Sequence, residues 1–333
     1  MKILVTGGAG FIGSNFIHYW LGKHPDDNII NLDLLTYAGN LENLKEIEHL
    51  NNYEFVRGDI CDRDLVNDLV KKVDLIVHFA AESHVDRSVF SPRKFVDTNI
   101  AGTHNLLEAA RNTGGVRFHH ISTDEVYGHL GPNDPPFNEK TPYAPRSPYS
   151  ASKAASDMLV QVYFTTYKLP ITISHCSNNY GRFQFPEKLI PLIITNLMLG
   201  KKIPLYGDGK QIRDWIHVDD HNRGVETIIE KGRIGDTYCL GGNNEVTNID
   251  IARMILDIMG HDEDKIEHVA DRPGHDVRYA IDFSKINKEL NWEPKIDFQK
   301  GLREKIKWMI ENEQWWRRIR SGEYQDYYKQ QYG

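Results

Sequence analysis

Short apolar runs alternate with amphipathic segments through the first half of the chain. Strands are predicted at residues 3–5, 28–33, 53–57, 74–80, 118–122 and 172–176, and helices at residues 11–21, 62–71, 95–111 and 149–167. Strands that alternate with helices form a parallel sheet with helices on both faces. In such sheets ligands bind beyond the carboxyl ends of the strands, so the loops after Val5, Asp33, Phe79 and Ser122 should share one crevice.

The alternation loosens after Pro186. Helices are predicted at residues 189–200, 217–230, 248–259, 282–289 and 301–311, and strands at residues 203–206 and 236–240. Residues 177–185 are expected to form an irregular loop. The pattern predicts a smaller α/β domain at residues 177–333, interleaved with a larger domain at residues 1–176 to which residues 208–245 return. Residues 131–148 contain six prolines and are predicted to form a loop over the site, with a plain surface connection as the alternative.

A glycine-rich turn follows the first predicted strand. Gly8, Gly10 and Gly13 fit G-x-G-x-x-G, and Gly7 adds an overlapping G-x-x-G-x-x-G. Such glycines permit a tight turn and bring the backbone and the helix N-terminus close to a pyrophosphate. Asp33 ends the second strand at the spacing where a carboxylate meets the adenosine ribose. No Arg or Lys stands at residues 34–37 to meet a 2′-phosphate, so the pattern predicts a Rossmann-type, doubly wound sheet that binds NAD rather than NADP.

The overall charge narrows the choice of partners. The 333 residues carry a net charge of −7, with 40% hydrophobic and 26% charged residues, which is typical of a soluble globular protein and disfavours a general nucleic-acid surface. Residues 315–328 mix aromatic and basic side chains; they could stack on bases, but a helix packed on the body is the favoured interpretation. The longest apolar segment, residues 189–199, is too short to span a membrane.

Cysteine usage and the N-terminus bear on the compartment. Cys61, Cys176 and Cys239 are far apart in sequence and odd in number, which indicates reduced thiols. The N-terminus leads directly into the glycine-rich turn and does not resemble a signal peptide. We therefore expect a cytoplasmic protein with no membrane or nucleic-acid partner.

Tyr149 and Lys153 stand four residues apart at the start of a predicted helix, so they share one face. An ammonium near a phenol favours the phenolate. At about 4 Å and an effective dielectric near 20 the attraction is about 4 kcal/mol, or about 3 pKa units at most. Tyr149 could then titrate near neutral pH and take a proton from a sugar hydroxyl. An incidental surface pair is the alternative.

An acidic pair follows the strand predicted at residues 118–122. Thr123, Asp124 and Glu125 begin the sequence Thr-Asp-Glu-Val-Tyr-Gly. Adjacent residues on a regular strand point to opposite faces, so both acids can serve one substrate only if the strand has already ended. Two close carboxylates tend to separate in pKa and can then act as one acid and one base. The alternative is that the acids stabilise a helix N-terminus.

These motifs together resemble the extended short-chain dehydrogenase/reductase family, and within it the sugar-nucleotide 4,6-dehydratases. The resemblance covers nearly the whole chain and is carried by residues 7–13, 35–40, 80–88, 119–128, 147–153, 176–181, 185–191, 211–215 and 271–275. It implies NAD as cofactor, dTDP-glucose as substrate, a homodimer and a place in a rhamnose-type 6-deoxysugar pathway. The same dehydration of UDP-glucose or another nucleotide sugar is the first alternative, and an inactive NAD-binding scaffold is the second.

The resemblance also implies roles for individual residues. Tyr149, supported by Lys153, takes the C4 hydroxyl proton while C4 gives up a hydride. Glu125 removes the C5 proton, protonated Asp124 helps the C6 hydroxyl leave as water, and Thr123 hydrogen-bonds the C4 oxygen. The product is a 4-keto-6-deoxy sugar nucleotide, formed when the hydride returns to C6.

Binding residues carry over from the same motifs. The implied cofactor contacts are Gly7, Gly10, Phe11, Ile12, Gly13, Asp33, Leu34, Leu35, Thr36, Asp59, Ile60, Ala80, Ala81, Thr98, Tyr149, Lys153 and Asn179. The implied substrate contacts are Ser83, Thr123, Asn178, Lys188, Leu189, Pro204, Tyr206, Arg213, Asn248, Arg272, Pro273, Gly274 and His275. Arg213 and Arg272 suit a diphosphate because a guanidinium offers a fork of donors; a surface charge is the alternative for Arg213.

Three further features bear on the site. Arg182 and Phe183 stand where the family commonly has Pro-Tyr or similar, so a cation is expected near the pocket.

His217 and His221 have a spacing that can bind zinc, but no third ligand is evident and no metal is predicted. His119 and His120 are interpreted as packing residues.

Overall fold

The computed structural model describes residues 1–271 and 275–321. Seven parallel strands form the main sheet: β1 Lys2–Thr6, β2 Asn28–Asp33, β3 Tyr53–Arg57, β4 Leu75–His78, β5 Arg117–Thr123, β6 Ile171–Cys176 and β10 Thr237–Leu240. Their order across the sheet is β3-β2-β1-β4-β5-β6-β10. The predicted α/β class and doubly wound parallel sheet are confirmed.

Helices cover both faces of this sheet. Their bounds are α1 Phe11–Lys23, α2 Arg63–Val70, α3 Val85–Phe90, α4 Pro92–Phe95, α5 Thr103–Asn112, α6 Pro148–Tyr167, α7 Leu189–Met198, α8 Val218–Lys231, α9 Asn248–Met259, α10 Ser284–Leu290, α11 Phe298–Glu311 and α12 Glu313–Ile319. Ile3 and Val5 pack toward α1 and α8, whereas Leu4 packs toward α2, α5 and α6. Successive β1 side chains thus enter two different cores, as the two-residue strand period requires.

The remaining strands form two small sheets. β7 Asn178–Tyr180, β9 Ile212–His217 and β11 Glu245–Thr247 form one, and β8 Ile203–Tyr206 pairs with β12 Ile266–Val269 in the other. A core beneath them joins α7, α9, α11 and α12. The expectation of a wholly irregular loop at residues 177–185 is wrong, because β7 lies there and pairs with β9. The domain boundaries themselves stay a prediction.

The helix predicted at residues 95–111 is interrupted. α4 runs into a π-helical segment, Val96–Gly102, before α5 begins. A π segment adds a residue to a turn, is rare, and often occurs at functional sites. Here Gly102 packs so closely that a Cβ would lie 2.5 Å from the Ile60 side chain. The segment places Thr98 at the cavity described below.

The proline-rich segment does not cover the site. Leu130 and Phe137 make β-bridges with Arg278 and Ile281, and the Phe137 N–H donates to the Ala280 carbonyl at 2.9 Å. None of the described residues that line the cavity lies within residues 131–148. The prediction of a loop over the site is therefore wrong: the segment joins the C-terminal part of the chain to the main sheet.

The described part of the C-terminal tail packs on the body, as the favoured interpretation predicts. Trp316 is fully buried, and the Trp315 indole N–H donates to Asn43 Oδ1 at 2.8 Å. Residues 322–328 of that prediction lie outside the described residues. Within the described part of the chain, no helix combines the length and apolar character that crossing a membrane requires.

Candidate active site

A cavity of about 440 Å³ opens where the strand order reverses between β1 and β4. The loops after β1, β2, β4 and β5 all contribute to its wall, as the strand pattern predicts. Side chains from β8, β9 and the start of α7 and α9 close the opposite wall, among them Tyr206, Arg213 and Leu189. One end is thus built from the parallel sheet and the other from the smaller sheets.

Close packing at the first loop explains its glycines. Gly7 has φ +73°, and a Cβ there would lie 2.6 Å from the Ala80 backbone. A Cβ on Gly13 would collide with the Gly7 carbonyl oxygen. A side chain at Gly7 would therefore push the first loop away from the loop after β4, and one at Gly13 would push α1 away from the first loop, so the tight turn needs glycine at both positions.

Asp33 is fixed at the end of β2. Its two carboxyl oxygens accept the backbone N–H groups of Ala9 at 2.9 Å and Leu35 at 2.8 Å. Burial raises its pKa, whereas the two backbone donors lower it. Each oxygen retains a lone pair that can accept a ribose hydroxyl, so the loop and the carboxylate together fit the adenosine end of NAD.

Nearly all the predicted binding residues meet at this cavity. Of the implied cofactor contacts, all line it except Leu35, which has φ +58° and is placed by its bond to Asp33. Of the implied substrate contacts, Arg272, Pro273 and Gly274 lie outside the described residues, and the others all line the cavity. Convergence in one cavity supports these assignments, which stay predictions at the level of individual contacts.

Two basic side chains mark the substrate end. Arg213 is buried, lies with its guanidinium 4.4 Å from the centre of the Tyr279 ring, and donates to the carbonyls of Ile212 and Asp276. The surface-charge alternative for Arg213 is therefore wrong. Lys188 donates to the Ser83 carbonyl at 3.2 Å and so ties the start of α7 to the loop after β4.

The acidic pair lies in a short 3₁₀ helix, Asp124–Tyr127, that begins where β5 ends. Thr123 caps this helix: its Oγ1 accepts the Glu125 N–H at 3.3 Å and donates to Asp124 Oδ1 at 3.2 Å. The strand has ended before the acids, so Asp124 and Glu125 both line the cavity. The two acids thus lie in the first turn of a helix, as the alternative interpretation predicts, and also face the cavity, as the catalytic interpretation requires.

The environment of Asp124 favours its protonated form. The side chain is 2% exposed, and Oδ2 has no hydrogen-bond partner within the described structure. Burial, followed by the nearby Glu125 and Asp214 carboxylates, raises the pKa of Asp124 well above its usual value. A carboxyl group that stays protonated near neutral pH can act as a general acid.

Tyr149 enters the cavity from the first turn of α6. Ser147 and Ser150 form a reciprocal capping box there, and Pro148 occupies the first turn. Burial, together with Glu125 and Cys176, raises the pKa of Tyr149 well above 10, whereas a hydrogen bond with Thr123 lowers it. The expected shift of Tyr149 toward neutral pH is not present in the protein alone.

Lys153 is anchored beneath Tyr149. Its Nζ donates to the Ile121 carbonyl at 2.8 Å and lies 3.3 Å from His120 Nε2. Burial lowers the pKa of Lys153, and the Asp157 carboxylate opposes this shift. The position four residues after Tyr149 therefore puts Lys153 in the site, but its charge depends on Asp157, four residues further along α6, and on His120 of β5.

Those neighbours form a buried polar network that sequence analysis missed. Asp157 Oδ1 lies 3.1 Å from His120 Nε2, and Oδ2 lies 3.1 Å from His175 Nε2 and accepts from Ser122 Oγ at 2.8 Å. Burial lowers the pKa of His120 to about 4, so that ring is neutral near pH 7. The packing interpretation of His120 is incomplete, because this ring joins Lys153 to the Asp157 carboxylate. His119 instead packs between Thr172 and Ser174, as predicted.

Asn99 is a second residue that sequence analysis missed. It lies in the π segment, its Oδ1 accepts the Glu82 N–H at 2.9 Å, and its Nδ2 donates to Ser152 Oγ at 2.8 Å. These bonds hold the loop after β4 against α6, which carries Tyr149 and Lys153. The apolar periodicity of the segment gives no signal for this role.

Arg182 does not enter the cavity. Its Nε donates to Asn15 Oδ1 at 2.9 Å, and Asn15 Nδ2 donates back to the Arg182 carbonyl. Phe183, at φ +64°, packs on His18 and Trp308. The expectation of an added cation near the pocket is wrong: the departure from the family pattern ties this loop to α1.

The histidines at residues 217 and 221 have separate surroundings. His217 caps α8 by accepting the Asp219 N–H at 3.2 Å. His221 is fully buried, and burial lowers its pKa to about 3. Within the described residues, the cluster with metal-ligand spacing is instead His24, Glu226 and Glu230. Lys23 and Tyr19 already donate to the Glu226 carboxylate there.

A parallel α/β sheet with a dinucleotide loop, together with Tyr149, Lys153 and an acidic pair at one cavity, defines an extended short-chain dehydrogenase/reductase. The family model described as GDP-mannose 4,6 dehydratase matches residues 4–305. The dTDP-glucose 4,6-dehydratase of Salmonella typhimurium is 48% identical over all of this chain and 99% of its own length. That of Mycobacterium tuberculosis is 52% identical over 96% of both chains.

A solved structure extends the likeness to three dimensions. The dTDP-glucose 4,6-dehydratase of Streptomyces venezuelae, with NAD and dTDP bound, superimposes with a TM-score of 0.94 at 47% identity. The match covers 96% of this chain and 100% of that one. The chain therefore belongs to the GDP-mannose 4,6 dehydratase family of extended short-chain dehydrogenases/reductases, alongside the dTDP-glucose 4,6-dehydratases.

Proposed function

We propose that the protein is an NAD-dependent hydro-lyase that converts dTDP-glucose to dTDP-4-keto-6-deoxyglucose and water. The observation that carries the proposal is the meeting of Tyr149 with the Asp124–Glu125 pair at one cavity. A tyrosine base alone suits oxidation or epimerisation at C4. A buried acid beside a second carboxylate adds what water elimination between C5 and C6 needs.

The residues present fit NAD. The glycine loop and the N-terminus of α1 suit the pyrophosphate, Asp33 suits the adenosine ribose, and Tyr149 and Lys153 lie at the other end of the same cavity. NAD, when bound, accepts a hydride from C4 of the sugar and later returns it to C6. Because the hydride returns, the cofactor ends in its starting oxidation state.

The chain's own groups move the protons. Tyr149, as the phenolate, takes the C4 hydroxyl proton, while Thr123 holds the C4 oxygen. The new 4-keto group acidifies the C5 proton, which Glu125 removes. Asp124 gives its proton to the C6 hydroxyl, which leaves as water. Glu125 then returns a proton to C5 as the hydride reaches C6.

The substrate is tested by incubating the purified protein with dTDP-glucose and, separately, UDP-glucose, without added NAD. We expect dTDP-glucose alone to lose one water, as measured by mass and by the alkaline absorbance of the 4-keto product. Loss of water from UDP-glucose instead would move the assignment to the alternative substrate; thymine and uracil differ by one methyl, a contact worth about 1–3 kcal/mol. If neither sugar reacts even with NAD supplied, the assignment to dTDP-glucose fails, and the choice falls between another nucleotide sugar and an inactive NAD-binding scaffold.

We also propose that the protein is a cytoplasmic homodimer. α3, the π segment and α6 expose apolar side chains, including Phe90, Val96, Met158 and Val162, and the last two are 54% and 51% exposed. A set of exposed apolar side chains on neighbouring helices is typical of an interaction surface.

The three cysteines are unpaired, which suits a reducing compartment such as the proposed cytoplasm.

Replacing Val162 by glutamate is expected to shift the protein from dimer to monomer, because a charge would be buried in the proposed interface. Light scattering after size-exclusion chromatography would measure the change. Ile310→Glu is the matched control, since Ile310 is also 51% exposed but lies on α11. A wild-type monomer, or a dimer that survives Val162→Glu, would contradict the proposed interface.

A further inference from the structure

The proposed reaction gives a hydride to NAD and takes it back within one turnover. A sugar that has been oxidised at C4 can be completed only if the reduced cofactor stays in the same site until water has left. Early departure of the cofactor would strand a 4-keto sugar and leave an empty site. Contacts that keep the cavity closed during the turnover therefore bear directly on the proposed reaction.

Three segments that are far apart in sequence meet at the wall of the cavity. Arg87 lies on α3, Tyr37 lies in the loop after β2, and Glu187 lies in the segment that leads into α7. Arg87 Nε donates to Glu187 Oε2 at 3.2 Å, and Arg87 Nη2 lies at the same distance from that oxygen. The guanidinium carbon lies 3.9 Å from the centre of the Tyr37 ring, which meets Phe185 edge to face at 5.5 Å. We call Tyr37, Arg87 and Glu187 the clasp.

The clasp joins the two sides of the cavity. Tyr37 and Arg87 follow strands of the main sheet, whereas Glu187 precedes α7 on the substrate side. Tyr37 and Glu187 line the cavity, but Arg87 does not. The Arg87 side chain is 23% exposed and that of Glu187 is 1% exposed, so the ion pair runs from the surface to the cavity wall. Separation of the two sides requires this pair to break.

Fold stability gives little reason for this ion pair. Taking two charges out of water is costly, and an apolar pair of similar volume is often equally stable or more stable. Burial raises the pKa of Glu187, whereas the charges of Lys188 and Arg87 lower it and so favour the carboxylate. Hydrogen bonds between charged groups are roughly twice as strong as neutral ones, so this pair holds the segment before α7 against α3.

We propose that the clasp holds the reduced cofactor in the cavity between the two hydride transfers. The inference rests on the proposed dehydratase reaction and gives a positioning role to three residues outside the implied cofactor and substrate contacts. While the clasp is intact, the segment before α7 stays against α3 and the loop after β2, and the cavity stays closed around a dinucleotide. These residues make and break no bond of the substrate or the cofactor.

Arg87→Gln tests the clasp from outside the cavity, because Arg87 does not line it. Glutamine removes both the charge beside Glu187 and the cation stacked on Tyr37. Protein loaded with radiolabelled NAD is chased with excess unlabelled NAD. We expect the label to leave Arg87→Gln about 10–100-fold faster than wild type, the range for loss of a charged hydrogen bond. Glu263→Gln is the matched control, since it breaks an exposed ion pair with Arg253 and should leave the rate unchanged.

The second measurement follows the reduced cofactor during turnover. With dTDP-glucose and no added NAD, wild type should turn over repeatedly and release no reduced nicotinamide into a filtrate. Arg87→Gln should release one reduced cofactor for each 4-keto sugar that it abandons, lose activity as its sites empty, and recover activity when NAD is added. A merely structural role would lower thermal stability and slow the reaction without free reduced cofactor.

The outcomes are distinct. Unchanged loss of label from Arg87→Gln, or turnover of that variant without free reduced nicotinamide, would overturn the clasp. If Arg87→Gln does not fold, Arg87→Lys keeps a charge beside Glu187 but loses the guanidinium fork and its flat stack on Tyr37; the same two measurements then apply, with smaller expected changes. If wild type does not dehydrate dTDP-glucose, the failure lies with the proposed function, and the rates of label loss still decide whether the clasp holds NAD.

Discussion

Replacement of Glu125 by glutamine is expected to stop the reaction after oxidation at C4. Glutamine keeps the shape of the side chain but lacks a basic carboxylate, so the C5 proton stays in place while Tyr149 still accepts the C4 proton. Steady-state dehydration should fall by about 10²–10⁴-fold, the range for loss of a general base. Rapid mixing with dTDP-glucose should show the absorbance of reduced nicotinamide rising and persisting instead of decaying.

Asp124→Asn is the matched partner of that variant. Asparagine cannot give up a proton to the C6 hydroxyl, so water loss should again fall, but Glu125 remains able to remove the C5 proton. In deuterated water, Asp124→Asn should therefore exchange the C5 hydrogen without losing water, and Glu125→Gln should not. Loss of bound NAD with normal dehydration at the remaining loaded sites, in either variant, would contradict the roles assigned to this pair.

The main sheet could be predicted because its central strands, such as β4 and β6, are buried throughout and therefore read as continuous apolar runs. The predicted bounds of β2 and of the less buried edge strand β3, Asn28–Asp33 and Tyr53–Arg57, match the observed ones. β7 and β11 have three residues each and are stabilised by pairing with β9, so no local periodicity reveals them. The π segment likewise depends on packing of Gly102 against Ile60, a contact distant in sequence.

The site could be predicted to the extent that it follows strand ends. Asp33 and Thr123 are the last residues of their strands and the glycine loop directly follows β1, and a parallel sheet brings those ends together. The pKa shifts of the site residues could not be predicted in the same way. Lys153 is expected from its spacing to lower the pKa of Tyr149, but burial dominates for both groups, and the Asp157 carboxylate that supports Lys153 lies four residues further along α6, beside His120 of β5. The predicted position of Arg182 near the pocket is wrong because its hydrogen-bond partner, Asn15 on α1, is distant in sequence.

Replacement of Tyr149 by phenylalanine is expected to block the reaction one step earlier than the change at Glu125. Without a phenol no group at that position accepts the C4 proton, so the hydride cannot leave and no reduced nicotinamide should form. We expect a fall of about 10²–10⁴-fold in turnover, with bound NAD retained. Phenylalanine keeps the ring that packs against Phe95, so α6 should remain in place.

The pH dependence gives an independent check on Tyr149. Burial and the nearby Glu125, Cys176 and Asp124 groups raise its pKa, and the hydrogen bond with Thr123 lowers it. Because the phenolate is the active form, the single-turnover rate of C4 oxidation should rise with pH as Tyr149 loses its proton, and the residual rate of Tyr149→Phe should lack that rise. The same rise in Tyr149→Phe would place the titrating base elsewhere, with Lys153 the next candidate. Normal formation of reduced nicotinamide in Tyr149→Phe would contradict the assigned role outright, since the C4 proton would then have another acceptor in the cavity.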